Sequence, residues 1–140
     1  MSCRPEKMTK GEPIKYAAAR GEKLPELVSF DIDGTLEFGD PRGSITMDMV
    51  RNVQARGIWV GSCSDRPVSY QQQLWDRQNM SVDFTVLKNR LDDVKAEFQA
   101  SSFLHIGDTD MDEYFAGQAG FQFLLVDSLP FLNWTEQLSL

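Results

Sequence analysis

The sequence predicts an α/β fold: a doubly wound, five-stranded parallel sheet with helices on both faces. After Pro25 the chain alternates five short apolar runs with four helix-like stretches, and every parallel crossover needs a covering helix. The runs are mostly apolar, as strands buried on both faces are. The 140 residues suit one ordinary domain, and 41% hydrophobic with 25% charged residues excludes disorder over most of it. A domain of this length hides roughly 68% of the surface of its unfolded chain, so it needs no disulfide or metal to fold.

Residues 1–26 are polar and broken by Pro5, Gly11, Pro13, Gly21 and Pro25. They are read as an N-terminal arm, mobile or docked on a neighbour, with one short helix over Ile14–Arg20. A single domain follows over 27–140. Leu27–Ile32 is the first strand. Thr46–Arg56 sets Met47, Val50 and Val53 on one helical stripe and stops at Gly57. Ile58–Cys63 is the second strand. Pro67 suits the first turn of a helix reaching Asn79, with Val68, Leu74 and Trp75 expected inward. Phe84–Leu87 is the third strand, followed by a helix striped by Leu91, Val94 and Phe98. Phe103–Ile106 is the fourth. Met111, Tyr114 and Phe115 mark a further helix, capped near Gly120, and Phe121–Val126 is the fifth strand. The tail, with Phe131, Leu132 and Trp134, is expected to pack back on the body.

Fourteen basic against twenty-one acidic residues give a net charge of −7, unevenly spread. Residues 1–26 carry six basic and four acidic residues, and 27–140 carry eight and seventeen. So acidic a body argues against nucleic acid, whose sequence-independent affinity comes from Lys and Arg. Cys3 and Cys63 offer neither a disulfide framework nor metal-ligand spacing, which fits a reducing compartment. No signal-peptide core and no run near the ~18 apolar residues of a membrane span are present, so a cytoplasmic protein without membrane contact is expected.

In such a sheet the site lies beyond the carboxyl ends of the strands. The first strand ends in Asp31-Ile32-Asp33-Gly34-Thr35, the second in Ser62-Cys63-Ser64-Asp65-Arg66, the third in Lys88, and the fourth in Gly107-Asp108-Thr109-Asp110-Met111-Asp112. Asp31 and Asp33, two apart, project to one side near a strand end. Two carboxylates ~4 Å apart repel by about 4 kcal/mol at an effective dielectric near 20. Asp108 and Asp112 add to that crowding unless a cation joins them. Oxygen donors without His or Cys favour a hard ion, Mg2+ above all. Any one of these aspartates alone reads as a turn or helix cap; the combination does not.

From Leu27 to Val126 the chain resembles the haloacid dehalogenase superfamily of phosphohydrolases. Asp31-Ile32-Asp33-Gly34-Thr35 is similar to that family's first motif, Ser64 with the strand before it to the second, Lys88 to the third, and Gly107–Asp112 to the fourth. The resemblance implies that Asp31 is the nucleophile, forming an aspartyl-phosphate. It implies that Asp33 is the acid and base and gives its backbone carbonyl to the metal. Asp108 would hold Mg2+ with Asp31, Asp112 would support it or ligate through water, and Ser64 and Lys88 would bind the phosphoryl oxygens. Ser62 competes with Ser64, and Lys95 with Lys88, although Lys95 falls inside a helix. Asp110 is either a further acidic contributor or a first-turn residue.

His105 reads as a satisfied core residue, and Trp59, Trp75 and Trp134 as packing. Arg66 is either a substrate contact or half of a helix-start ion pair; Arg42, in the loop Leu36–Gly43, is the better specificity candidate. Asp33 and Ser64 are thirty-one positions apart and Lys88 and Asp108 twenty, lengths that leave no room for a cap domain. By that resemblance the open site is roofed by a second copy or faces a large substrate. The expected function is Mg2+-dependent hydrolysis of a small phosphorylated metabolite by a homo-oligomer. The alternatives are a phosphatase for a phosphoprotein or polynucleotide 3′-phosphate end, and a non-catalytic phosphate-binding module. A response-regulator-like receiver fits less well, because its phosphoacceptor belongs on the third strand, which here ends in lysine.

Overall fold

The computed structural model describes residues 24–139. Residues 1–23, most of the expected arm, lie outside them. Leu24 is 1% exposed and joins the core, so the packed body begins three residues before 27.

Five strands form one all-parallel sheet in the order β3-β2-β1-β4-β5: β1 (Leu27–Phe30), β2 (Trp59–Ser64), β3 (Phe84–Leu87), β4 (Phe103–Gly107) and β5 (Gln122–Leu125). β1 is central, with Phe30 in register with Ser62 on one side and Ile106 on the other. The helices are α1 (Met47–Ala55), α2 (Val68–Arg77), α3 (Leu91–Glu97), α4 (Asp110–Ala119) and α5 (Leu129–Leu138), with one 3₁₀ turn at Lys88–Arg90. This is the doubly wound α/β fold expected.

Alternation along each strand feeds two cores. Val28, Phe30, Val60, Leu104 and Ile106 pack under α1, α2 and α5 with Val50, Trp75, Phe131 and Trp134. Leu27, Trp59, Cys63 and Phe103 pack under α3 and α4 with Leu91, Val94, Phe98 and Ala116. The tail is therefore the fifth helix, capped by Ser128, whose hydroxyl accepts from the Phe131 N–H.

The helix termini follow their residues. Thr46 and Thr109 cap α1 and α4, and Gly120 ends α4 at φ +78°. Two stripes differ from expectation. Val68 is 37% exposed, because Gln71 takes the inward position of α2. Met111 and Tyr114 are about half exposed, because α4 turns Asp112 and Ala116 inward instead. Among the described residues no strand-to-strand connection holds more than one α-helix, and no helix is long and apolar enough to cross a membrane.

Candidate active site

β1, β2, β3 and β4 end side by side, and the polar residues after them converge. Asp31 follows β1; its N–H still donates to the Ile106 carbonyl at 2.9 Å, so its position is set by the sheet ladder. Gly34 turns the chain away at φ +76°. A Cβ there would lie 1.9 Å from Asp108 Oδ2, so the turn admits only glycine if Asp108 is to approach.

Asp31, Asp108 and Asp112 each offer a carboxylate oxygen, and these oxygens all lie within 4.8 Å of one another. Lys88 is buried among them, its Nζ 3.3 Å from Asp112 Oδ1, 4.0 Å from Asp31 Oδ1 and 3.8 Å from Asp65 Oδ2. Burial opposes the lysine's charge, but Asp31, Asp112 and Asp65 more than offset it and hold its pKa above the ordinary value.

The buried carboxylates divide. Burial, with the charge of Asp112, pushes Asp31 up to about 8 against the pull of Lys88. Burial acts on Asp112 in the same sense, yet hydrogen bonding and charge from His105, with Lys88 and Thr109, bring it down to about 2. The Asp112 side chain is fully buried, and its acceptors are filled. Oδ1 faces His105 Nε2 at 3.0 Å, and Oδ2 accepts from the Asp108 and Thr109 N–H groups and the Thr109 hydroxyl. His105 Nδ1 in turn lies 3.0 Å from Ser29 Oγ. His105 is thus a satisfied core residue, and it also fixes Asp112.

The donor set suits a hard divalent cation. All three groups are carboxylates, and Asp108 Oδ1 is buried with no hydrogen-bond partner. Asp31 and Asp108 have oxygens to give. Asp112, already saturated, is arranged to support from behind. Asp33 is not part of the triad: Arg66 Nε donates to its Oδ2 at 2.8 Å and the Asp40 N–H to its Oδ1 at 2.9 Å.

The two serines of β2 separate. Ser62 is fully buried, its hydroxyl donating to Gln71 Oε1 at 2.7 Å and accepting from Trp75 Nε1 at 3.0 Å. Ser64, at the strand end, makes one bond, accepting from the Arg66 N–H at 3.1 Å. Lys95 is remote from the carboxylates, its Nζ 3.4 Å from the Gly120 carbonyl and 5.7 Å from the centre of the Phe103 ring. Asp110 is exposed in the first turn of α4, and Arg42 is exposed on the loop after β1. Cys63 is buried, and its thiol is pushed up by that burial and by Asp31, so it is no nucleophile.

The Arg66–Asp33 pair and the His105–Asp112 bond were not specified by the sequence. The only signal was an arginine just before a helix and a lone histidine in a strand. No protein-family model and no curated protein matches the chain.

Proposed function

We propose that the protein is a Mg2+-dependent phosphomonoester hydrolase that acts through an aspartyl-phosphate on a small phosphorylated metabolite. One observation carries the reading. Asp31, held by the sheet at the end of β1, shares a buried site with Asp108, Asp112 and the Lys88 ammonium. Burial pushes Asp31 up to about 8 in the metal-free site, so a cation beside it is what would release its proton and free the carboxylate to attack.

Asp31 and Asp108 would hold the ion. Bound there, Mg2+ supplies the positive charge that lets a carboxylate approach a phosphate dianion. An Asp31 oxygen attacks phosphorus while the ester P–O bond breaks, and the departing oxygen takes a proton from Asp33. Asp33 then takes a proton from water, whose oxygen displaces Asp31 from phosphorus and regenerates the free carboxylate. Lys88 and the Ser64 hydroxyl receive the phosphoryl oxygens as charge builds on them.

The test is hydrolysis of p-nitrophenyl phosphate by the full chain, with Mg2+ and with chelator. Turnover is expected with Mg2+ alone, lost in Asp31→Asn and slowed about 10²–10⁴-fold in Asp33→Asn. Full turnover by Asp31→Asn would remove the covalent step.

A further inference from the structure

Among the described residues, Arg66 is a cation beside Ser64 and Asp33 with hydrogen-bonding capacity to spare. A guanidinium has five N–H donors. Among the described residues only its Nε makes a side-chain hydrogen bond, to Asp33 Oδ2 at 2.8 Å. The terminal nitrogens are without a bonded partner, on a side chain one-third exposed. The group is nonetheless held in place. Its ζ carbon lies 4.9 Å from the centre of the Tyr70 ring, the Arg66 N–H bonds Ser64 Oγ, and its carbonyl accepts from Gln71 Nε2 at 2.8 Å. This places a cationic fork, anchored at its backbone, between the serine expected to take the phosphoryl group and the aspartate expected to serve the leaving oxygen.

Asp33 is correspondingly occupied. With Arg66 on one oxygen and the Asp40 N–H on the other, each Asp33 oxygen already accepts a hydrogen bond, and the Nε contact competes with any leaving group for Oδ2. Freeing Asp33 requires that Arg66 find another anion nearby. The fork geometry matches a carboxylate or phosphate bidentately, which an ammonium would not.

We propose that Arg66 recognises a second anionic group, carboxylate or phosphate, on the leaving-group side of the substrate, and that binding it draws Arg66 from Asp33. The substrates are then phosphomonoesters carrying another negative charge. This rests on the phosphatase reading above, and it adds a specificity that the reading does not contain.

The experiment compares kcat/KM within two matched pairs. One is 3-phosphoglycerate against glycerol 3-phosphate, which differ by a carboxylate in place of a hydroxymethyl group. The other is glucose 1,6-bisphosphate against glucose 6-phosphate, which tests a second phosphate. p-Nitrophenyl phosphate reports whether the chain hydrolyses phosphate esters at all. The wild type should favour the doubly anionic member of at least one pair by about tenfold or more, and the pair identifies the group. In Arg66→Met that ratio should fall to about one. In Arg66→Lys it should be intermediate, and Tyr70→Leu, which removes the stacking platform, should lower it too. Equal kcat/KM within both pairs for the wild type, or a preference unchanged in Arg66→Met, overturns the proposal while p-nitrophenyl phosphate hydrolysis upholds the reading beneath it. A wild type that hydrolyses none of the five esters overturns both.

Discussion

Lys88 Nζ lies 3.3 Å from Asp112 Oδ1 with both side chains buried, and this pair holds positive charge beneath a cluster of carboxylates. Removing one partner of a buried pair leaves the other uncompensated, at a cost of about 3 kcal/mol. Lys88→Met should therefore lower the unfolding free energy by about that amount in chelator. Mg2+ should restore part of it, because the ion replaces the missing charge. Urea denaturation with and without Mg2+ measures both, and a variant as stable as wild type in chelator would contradict the account.

Asp31 makes the metal-free protein sensitive to pH. Its pKa is near 8 folded and 3.8 in a free side chain. Between those values the folded state keeps a proton that the unfolded state has released, so stability falls as pH rises, by at most ~1.4 kcal/mol per unit from this group. Asp112, lowered to about 2, acts oppositely and only below about pH 4. Unfolding free energies of wild type in chelator should decline from pH 5 to pH 8, and Asp31→Asn should flatten that decline. Parallel curves for the two proteins would show that Asp31 ionises normally.

Ser62 and Ser64 should fail differently. Ser62→Ala leaves Trp75 Nε1 without its acceptor and Gln71 Oε1 without its donor, and it should cost about 1–3 kcal/mol in stability. The KM for p-nitrophenyl phosphate should hold. Ser64→Ala removes a hydroxyl with a single bond at the strand end; it should raise KM or lower kcat with little effect on the denaturation midpoint. Steady-state kinetics beside urea curves separates the two, and the reverse pattern would exchange their roles.

Gly34→Ala adds one carbon where Asp108 Oδ2 already sits, at a backbone angle that alanine adopts poorly. Asp108 must move or the turn must open. A loss of about 1–2 kcal/mol is expected, together with loss of most of the Mg2+-induced rise in Tm. A variant with wild-type Mg2+ response would mean that Asp108 does not hold the ion.

Much of this architecture is legible in the sequence because parallel strands buried on both faces must be short apolar runs, and their ends must share one edge. That rule brings Asp31–Thr35, Ser62–Arg66, Lys88 and Gly107–Asp112 to one edge, but it does not choose Ser64 over Ser62. Helix faces are less legible where polar residues go inside. Gln71 is buried because its amide serves Ser62, the Arg66 carbonyl and the Val86 carbonyl, and periodicity assigns a glutamine outward. Asp112 displaces Met111 and Tyr114 from the inward face of α4 for the same kind of reason. The turn of Asp33 toward Arg66 depends on the Asp40 N–H and on the Tyr70 ring, groups that come together only in three dimensions.

The central position of β1 has a consequence for biosynthesis. Asp31 is made before β4, so its flank opposite β2 stays bare until that strand appears, and Asp108 is made seventy-seven residues after it. A truncated chain ending before β4 carries Asp31 and Lys88 yet lacks Asp108, Asp112 and the strand that brings them together. The acidic cluster is therefore a property of the finished sheet and of no fragment that ends before β4.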